Sequence, residues 1–257
     1  MIALRSLLFN IAFYGWTTIA CFGLLWMLLL PRRRMIAVVR WYLDTVGWLE
    51  RVILGLDYEV RGRENLPAGA CIVAAKHQSA WETMKLHALF GDPAIVLKRE
   101  LTWIPIWGWY ARKARMIAVD RGARGKALSS MIENSRPVAA EGRPIVIFPQ
   151  GTRTAPGAYR GYRVGVGALY EQLRLPIVPV ALNSGVFWGR NSFMKRSGTI
   201  VVEILPPIQP GLPRAQAMAE LESRLEAATD RLVVAAGGPP TVRNATAAPA
   251  RAVAPAP

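Results

Sequence analysis

The feature that most constrains the fold is an alternation of short β-branched runs with helical segments after residue 56. The predicted strands span residues 58–60, 71–75, 94–97, 116–119, 144–148, 177–182 and 199–205, and Gly and Pro bound most of them. Helices are predicted over residues 80–90, 126–140, 165–173 and 214–235. This alternation favours an α/β fold with a mostly parallel central sheet flanked by helices, in which ligands bind at the carboxyl ends of the strands.

The first 56 residues are predicted to attach the chain to a membrane. No charged residue occurs between residues 7 and 30, and as a helix this stretch would measure about 36 Å, enough to cross a hydrocarbon core of about 30 Å. Residues 35–56 are apolar but carry Arg40, Asp44 and Arg51 close together on a helical wheel, which is typical of an interfacial helix or of a core helix. A single span with a surface helix and a two-helix hairpin dipping into one leaflet both fit this pattern.

Three arginines, Arg32, Arg33 and Arg34, follow the apolar stretch and should remain on the cytoplasmic side of the membrane. The expected location is therefore the inner, cytoplasmic membrane, with the following domain facing the cytoplasm. A cleaved signal peptide is disfavoured, because the apolar run is long and lacks a small-residue cleavage pattern.

Length and composition limit the fold and the chemistry of the remaining chain. Residues 57–236 provide one α/β domain with a single core, and the Pro- and Ala-rich residues 237–257 are expected to form a disordered tail. The formal net charge of +15 favours anionic partners, yet no nucleic-acid-binding module is recognisable. Two cysteines and two histidines are too few for a disulfide framework or a structural zinc site.

His77 and Glu82 are candidate catalytic residues at the end of the second predicted strand. His77 lies in the loop after residues 71–75, and Ser79 can begin the next helix. If His77 lies outside that helix and Glu82 in its first turn, the carboxylate can orient the imidazole and stabilise its protonated form. Ser79 and Glu82 also match a capping box, in which Glu82 only satisfies the first amides of the helix. On spacing alone, the cap is the simpler interpretation.

A glycine turn after the fifth predicted strand offers an anion site. The turn reads Phe148-Pro149-Gln150-Gly151-Thr152-Arg153-Thr154. Gly151 frees backbone amides and Arg153 supplies a permanent, planar positive charge, a combination that suits a phosphate group. Arg163 would add a second cation ten residues later. The alternative is an ordinary turn with solvated arginines.

A third segment joins a basic cluster to an aromatic stretch. Lys98 follows the predicted strand 94–97, and three tryptophans, Trp103, Trp107 and Trp109, come soon after it. Such a segment would contact an acyl chain and a phosphate together, pack in the core, or lie in a membrane interface. The three tryptophans are candidates for the wall of an acyl-chain pocket.

Four blocks, in this order, resemble the 1-acyl-sn-glycerol-3-phosphate acyltransferases, also called lysophosphatidate acyltransferases. The family pattern is H-x-x-x-x-D, then K-x-x-L-x-x-x-P-x-x-G, then F-P-E-G-T-R, then a V-P-V-like strand. The corresponding blocks of this chain lie at residues 77–82, 98–108, 148–153 and 176–180. The resemblance covers residues 76–183 and implies the glycerolipid acyltransferase fold.

The resemblance also implies a reaction. A fatty acyl group would move from a thioester of CoA or of acyl carrier protein to the sn-2 hydroxyl of lysophosphatidate, making phosphatidate for phospholipid synthesis. His77 would be the general base, and Glu82 would stand where the family has Asp. The residues implied to bind substrate are Lys98, Gln150, Gly151, Thr152, Arg153 and Arg163. No metal, cofactor or acyl-enzyme is implied, so neither Ser79 nor Cys71 would be a nucleophile.

Two positions depart from the family pattern. Glu82 is one methylene longer than Asp, and Gln150 replaces the glutamate of F-P-E-G-T-R. The second change removes a negative charge beside the expected phosphate site, which leaves open another acceptor, such as a lyso-ornithine lipid or a lysophospholipid undergoing remodelling. From another class, the alternative is a non-catalytic membrane protein that binds anionic lipid.

Overall fold

A computed structural model of the chain describes residues 1–120, 122 and 125–242. Within these residues the strands are β1 (Leu56–Arg61), β2 (Ile72–Ala75), β3 (Ala94–Lys98), β4 (Ile117–Val119), β5 (Ile145–Ile147), β6 (Ile177–Leu182) and β7 (Gly198–Ile204). They form one sheet in the order β1-β7-β6-β2-β5-β3-β4. Only the pairing of β6 with β7 is antiparallel among these strands. The predicted α/β fold with a mostly parallel sheet is confirmed, and each strand lies on a predicted run.

Helices accompany the strands along the described chain. They are α1 (Ile2–Gly23), α2 (Arg32–Leu49), α3 (Trp81–Leu89), α4 (Trp107–Lys113), α5 (Gly125–Ala140), α6 (Gly165–Leu173), α7 (Ser184–Phe187) and α8 (Arg214–Ala235). The helices α3, α5, α6 and α8 match those predicted for the domain. The sequence did not predict α4 and α7, because helices of seven and four residues are too short to show a periodic apolar pattern.

Helices cover both faces of the sheet, because successive side chains of a strand point in opposite directions. In β2, Ile72 and Ala74 face a core that includes residues of α5, α6 and α8. Val73 and Ala75 face a second core, which includes residues of α3 and Phe9 of α1. The four residues of β2 are buried, so this central strand is accessible only through the loops at its ends.

The N-terminal segment is a hairpin rather than one long helix. α1 ends at Gly23, and a 3₁₀ turn over Leu25–Leu29 leads into α2. Trp16 Nε1 donates to Thr45 Oγ1 at 2.7 Å, which joins the two helices side by side. Among the described residues, α1 is the one helix long and apolar enough to cross a membrane, a criterion that core helices and signal sequences also meet.

Both ends of the hairpin contact the sheet domain. At the open end, Phe9 is 0% exposed and packs edge-on against Trp188, with ring centroids 5.3 Å apart. At the closed end, Arg32 forms a 2.7 Å ion pair with Asp92. Leu54, which follows α2, lies in the same core as Phe9. The two regions predicted as 1–56 and 57–236 therefore share one core.

Glu50 links the hairpin to α3. It begins a π-helical turn, Glu50–Leu54, and is 2% exposed. Its Oε2 accepts hydrogen bonds from Lys85 Nζ at 3.0 Å and from Trp81 Nε1 at 3.2 Å. Burial raises the pKa of Glu50 above its ordinary value, and the Lys85 cation opposes that shift. Residues at the start of α3 are thus tied to the end of the hairpin.

The structured chain continues past the predicted end of the domain at residue 236. The backbone amide of Val242 donates to the Gly157 carbonyl at 2.9 Å, and that of Thr241 donates to Asp230 Oδ1 at 2.5 Å. The tail predicted from residue 237 is therefore packed over residues 241–242. Its remainder, residues 243–257, lies outside the described residues.

We predict that Phe9→Ala lowers the free energy of unfolding by about 3–5 kcal/mol, because it opens a cavity in a core shared with the sheet. Phe22, on the same helix, is 62% exposed, and Phe22→Ala should change that free energy by no more than about 0.5 kcal/mol. Unfolding of the full chain in detergent micelles measures both variants. Equal stability of the two variants would contradict the shared core.

Candidate active site

The loops that follow three neighbouring strands meet at one edge of the sheet. β2 pairs in parallel with both β5 and β6, with Ala74 opposite Ile147 and Ala75 opposite Val180. Parallel strands present their carboxyl ends at the same edge. His77, just after β2, therefore lies level with the turn that follows β5 and with the start of α7 after β6.

His77 and Glu82 form the pair that the sequence suggested. His77 Nδ1 lies 2.7 Å from Glu82 Oε1. The same oxygen accepts hydrogen bonds from the backbone amides of Gln78 at 2.8 Å and Ser79 at 2.6 Å. The carboxylate therefore makes the Ser79 contact of the predicted capping box, in the loop before α3, and also orients the imidazole. The cap and the pair are alternatives on sequence spacing, and the same oxygen makes a contact expected from each.

The imidazole of His77 is fixed on its other sides. Its ring stacks on Phe148 with centroids 4.0 Å apart and an interplanar angle of 18°. The backbone carbonyl of His77 accepts a hydrogen bond from the amide of Thr154 at 2.7 Å. The side chain is 13% exposed. With Nδ1 facing Glu82, Nε2 is the nitrogen left for a ligand.

The sequence did not point to Ser184, the first residue of α7. Its Oγ donates to Glu82 Oε2 at 2.7 Å, across 102 positions of the chain. Next to it, the amide of Gly185 donates to Gln78 Oε1 at 3.0 Å. No local pattern relates residues so far apart, so only the pairing of β2 with β6 reveals the contact.

The glycine turn carries Arg153 next to Thr154, whose amide bonds the His77 carbonyl. The Gly151 amide donates to the Phe148 carbonyl at 2.9 Å, and Gly151 has φ 69°, a left-handed conformation that favours glycine. Thr152 and Arg153 follow it and are partly buried. None of the described carboxylates forms an ion pair with Arg153. Its guanidinium therefore remains available to an anionic ligand.

Gln150 and Arg163, both near this turn, differ in burial. Gln150 is 2% exposed, and its Nε2 faces the Arg160 carbonyl at 3.5 Å. An amide suits this position because it offers the carbonyl a donor, which an ionised glutamate lacks. The amide of Arg163 donates to the Pro149 carbonyl at 2.8 Å, and its side chain is exposed. We interpret Gln150 as holding the loop and Arg163 as a second cation beside the turn.

Lys98 ends β3 and is exposed at the same edge of the sheet. The register of β3 with β5, with Ala94 opposite Ile145, brings it level with Pro149, the start of the glycine turn. The three tryptophans that come after β3 face outward, with exposed fractions of 62% for Trp103, 42% for Trp107 and 47% for Trp109.

Other reactive groups lie away from this edge or are inert. Burial raises the pKa of the Cys71 thiol to about 11, so it is protonated at neutral pH. Ser79 Oγ accepts the amide of Trp81 at 3.2 Å and caps α3. Burial lowers the pKa of His87, which lies in the last turn of α3. Within residues 1–120, 122 and 125–242, no group of three or more His, Cys, Asp or Glu side chains is placed to hold a metal ion.

A cavity of about 710 Å³ lies beside α8 and is unsuited to a phosphate. Its lining includes the carboxylates of Glu222, Glu226 and Asp230. Both oxygens of Glu226 accept hydrogen bonds from Lys76 Nζ at 2.6 Å. Glu226 of α8 therefore holds Lys76, the residue that precedes His77.

The arrangement combines a general base with a positive charge. Nε2 of His77 can remove a proton from a bound hydroxyl, while Glu82 stabilises the imidazolium that forms. Arg153 can hold an anionic group on the same ligand. The edge therefore suits activation of a hydroxyl in a phosphorylated substrate.

Comparison with known proteins agrees with this chemistry. The family model described as Acyltransferase matches residues 57–183. A 1-acyl-sn-glycerol-3-phosphate acyltransferase of Pseudomonas aeruginosa is 36% identical over 229 residues, covering 88% of each chain. A protein of the same name from Limnanthes alba is 31% identical and covers 74% of this chain and 69% of its own.

A solved structure shares the fold. The crystal structure of the 1-acyl-sn-glycerophosphate (LPA) acyltransferase of Thermotoga maritima superposes with a TM-score of 0.76, covering 90% of this chain and 98% of that chain. The two sequences are 22% identical, so this likeness concerns the fold alone.

Proposed function

Since the chain belongs to the family of 1-acyl-sn-glycerol-3-phosphate acyltransferases, we propose that it acylates the sn-2 hydroxyl of 1-acyl-glycerol-3-phosphate and so makes phosphatidate. The observation that carries this proposal is the 2.7 Å contact of His77 with Glu82 at the edge of the sheet that also bears Arg153. This edge supplies a base for the hydroxyl and a cation for the phosphate of the same acceptor molecule.

His77 is the general base in this proposal. As its Nε2 takes the proton of the acceptor hydroxyl, the oxygen attacks the carbonyl carbon of an acyl thioester. The new C–O ester bond forms, the C–S bond breaks, and the imidazolium returns its proton to the departing thiolate. Glu82 stabilises the imidazolium through Nδ1 until that proton leaves.

The acyl donor is a thioester of CoA or of acyl carrier protein, and the transfer needs no bound cofactor. Both donors present the same carbonyl and the same thiolate leaving group, so the chemistry at His77 is common to them. The buried thiol of Cys71, whose pKa is raised to about 11, supports direct transfer without an acyl-cysteine.

Arg153 is the main contact for the acceptor phosphate. Its guanidinium forks toward two phosphate oxygens. The Gly151 amide is not available to the phosphate, because it donates to the Phe148 carbonyl at 2.9 Å. Lys98 and Arg163 add positive charge on either side of the turn. Gln150 takes no part, because it is buried against the Arg160 carbonyl, so its replacement of a glutamate does not require a different acceptor.

We place the hairpin in one leaflet of the inner membrane, with the site facing the cytoplasm. α1 cannot stand across the bilayer without losing the packing of Phe9 or the ion pair of Arg32 with Asp92. Most of its outward side chains are apolar or aromatic, with Tyr14 66% and Phe22 62% exposed. Of the two arrangements that the sequence left open, the contacts at both ends of the hairpin support the one that dips into a leaflet.

The segment around α4 extends this apolar surface. Trp103, Trp107 and Trp109 are exposed, and tryptophan concentrates at the boundary between lipid and water. Lys113, at the end of α4, donates from Nζ to the Leu28 carbonyl of the hairpin at 2.6 Å. We therefore assign the three tryptophans to the membrane interface rather than to a closed acyl-chain pocket.

His77→Ala should reduce acyl transfer to lysophosphatidate by about 10²- to 10⁴-fold, the range typical for loss of a general base. Steady-state assays of purified protein in mixed micelles, with an acyl thioester as donor, measure the loss. His87→Ala is the matched control and should retain activity, because His87 lies at the far end of α3. A variant His77→Ala as active as wild type would refute the proposed base.

Arg153→Ala should raise the KM for lysophosphatidate about tenfold or more, because a charged hydrogen-bonding partner of the phosphate is lost. Arg136→Ala, which removes an exposed arginine on α5, should leave that KM unchanged. Lyso-ornithine lipid and a neutral lysophospholipid serve as parallel acceptors. If one of these acceptors gives product and lysophosphatidate does not, His77 remains the proposed base, but the proposed acceptor is wrong.

A fluorophore at position 103 should move into lipid when the protein binds vesicles. We would label Trp103→Cys and, as control, Val234→Cys on α8, which covers the opposite face of the sheet. Both variants carry Cys21→Ser, and Cys71 is buried. With vesicles containing phosphatidylglycerol, emission should shift to the blue at position 103 but not at 234. The same emission at both positions would contradict the assigned membrane face.

A further inference from the structure

We propose that Ser184 is a positioning residue for the catalytic base, acting through Glu82. This inference rests on the proposed transferase function. The Ser184 hydroxyl donates to Glu82 Oε2 at 2.7 Å, and Oε1 of the same carboxylate holds His77 Nδ1 at 2.7 Å. Serine, carboxylate and imidazole therefore form one hydrogen-bonded row that ends at the nitrogen facing the acceptor.

Because Glu82 is buried, its carboxylate depends on the hydrogen bond from Ser184. Ser184 and Glu82 are both 0% exposed, and a buried carboxylate is costly unless its oxygens are hydrogen-bonded. Oε1 accepts from His77 and from two backbone amides, whereas Ser184 is the partner observed for Oε2 among the described residues. Without the hydroxyl, the carboxylate would be free to rotate away from the imidazole to satisfy Oε2.

Ser184 itself is held by the core of the domain. The preceding residue, Asn183, accepts the Val201 amide at 2.9 Å and donates to the Leu232 carbonyl at 3.2 Å. The next amide, of Gly185, donates to the side chain of Gln78 at 3.0 Å. The hydroxyl is therefore placed by β7 and α8, elements that do not contribute to the base directly.

The length of Glu82 fits this arrangement. A glutamate reaches about 1.5 Å further than an aspartate, the length of one carbon–carbon bond. That extra reach allows the carboxylate to span from His77 to Ser184. An aspartate at this position would keep the side held by His77 and the two backbone amides and would give up Ser184. The serine and the longer carboxylate therefore act as a matched pair.

Ser184→Ala should lower kcat about 10- to 100-fold, as expected for loss of a hydrogen bond to a charged group, with KM unchanged for both substrates. Ser135→Ala is the matched control: Ser135 is also 0% exposed and bonds the Met131 carbonyl within α5. It should leave kcat unchanged. Glu82→Asp should lower kcat too, and adding Ser184→Ala to it should cost little more, since that contact is already lost.

Two kinetic results would overturn the proposal: an unchanged kcat in Ser184→Ala, or the same fractional loss from Ser184→Ala in the wild-type and Glu82→Asp backgrounds. An NMR measurement that does not depend on turnover distinguishes failure of the positioning role from failure of the proposed function. The proton on His77 Nδ1 gives a hydrogen-bonded NMR resonance, assigned by its loss in His77→Ala. Ser184→Ala should shift or broaden it, and Ser135→Ala should not. An unchanged resonance in Ser184→Ala refutes the positioning role even if wild type acylates no lysolipid.

Discussion

The buried carboxylate of Glu82 joins three parts of the chain on which the site depends. One oxygen binds His77 and the amides of Gln78 and Ser79 just before α3, and the other binds Ser184 at the start of α7. A carboxylate removed from water must find such partners, so the arrangement is enforced by desolvation. The pairing of β2 with β6 brings the partners together, and the position of His77 thus follows from the register of the central sheet.

The hairpin packs against the sheet and forms one domain with it. Lys195 illustrates this, because its Nζ lies 4.9 Å from the ring of Trp188 and donates to Asn10 of α1 at 2.8 Å. Burial lowers the pKa of this lysine. On the far side of the hairpin, Glu50 bonds Lys85 of α3. The N-terminal hairpin and the helix that carries Glu82 are therefore connected through packed side chains and a buried ion pair.

Much of the fold was predictable because its signals are local. Buried parallel strands appear as short apolar, β-branched runs, and all the strands described here fall on such runs. His77 and Glu82 are five positions apart, and Arg153 lies in a turn marked by Gly151, so these candidates could be chosen from short stretches of sequence. The choice between a cap and a catalytic pair could not be made this way, because Glu82 Oε1 serves both.

The sequence by itself determined the order along the chain of the strands and of the longer helices. It also determined the apolar character of the first segment and the kinds of side chain that come after β2 and β5. The tertiary structure decided which of them meet. It folded the N-terminal segment back as a hairpin, turned Gln150 into the interior and brought Ser184 to Glu82 across 102 positions. Periodicity and turn chemistry act within a few residues, whereas these contacts depend on strands that are neighbours in the sheet but distant in the chain.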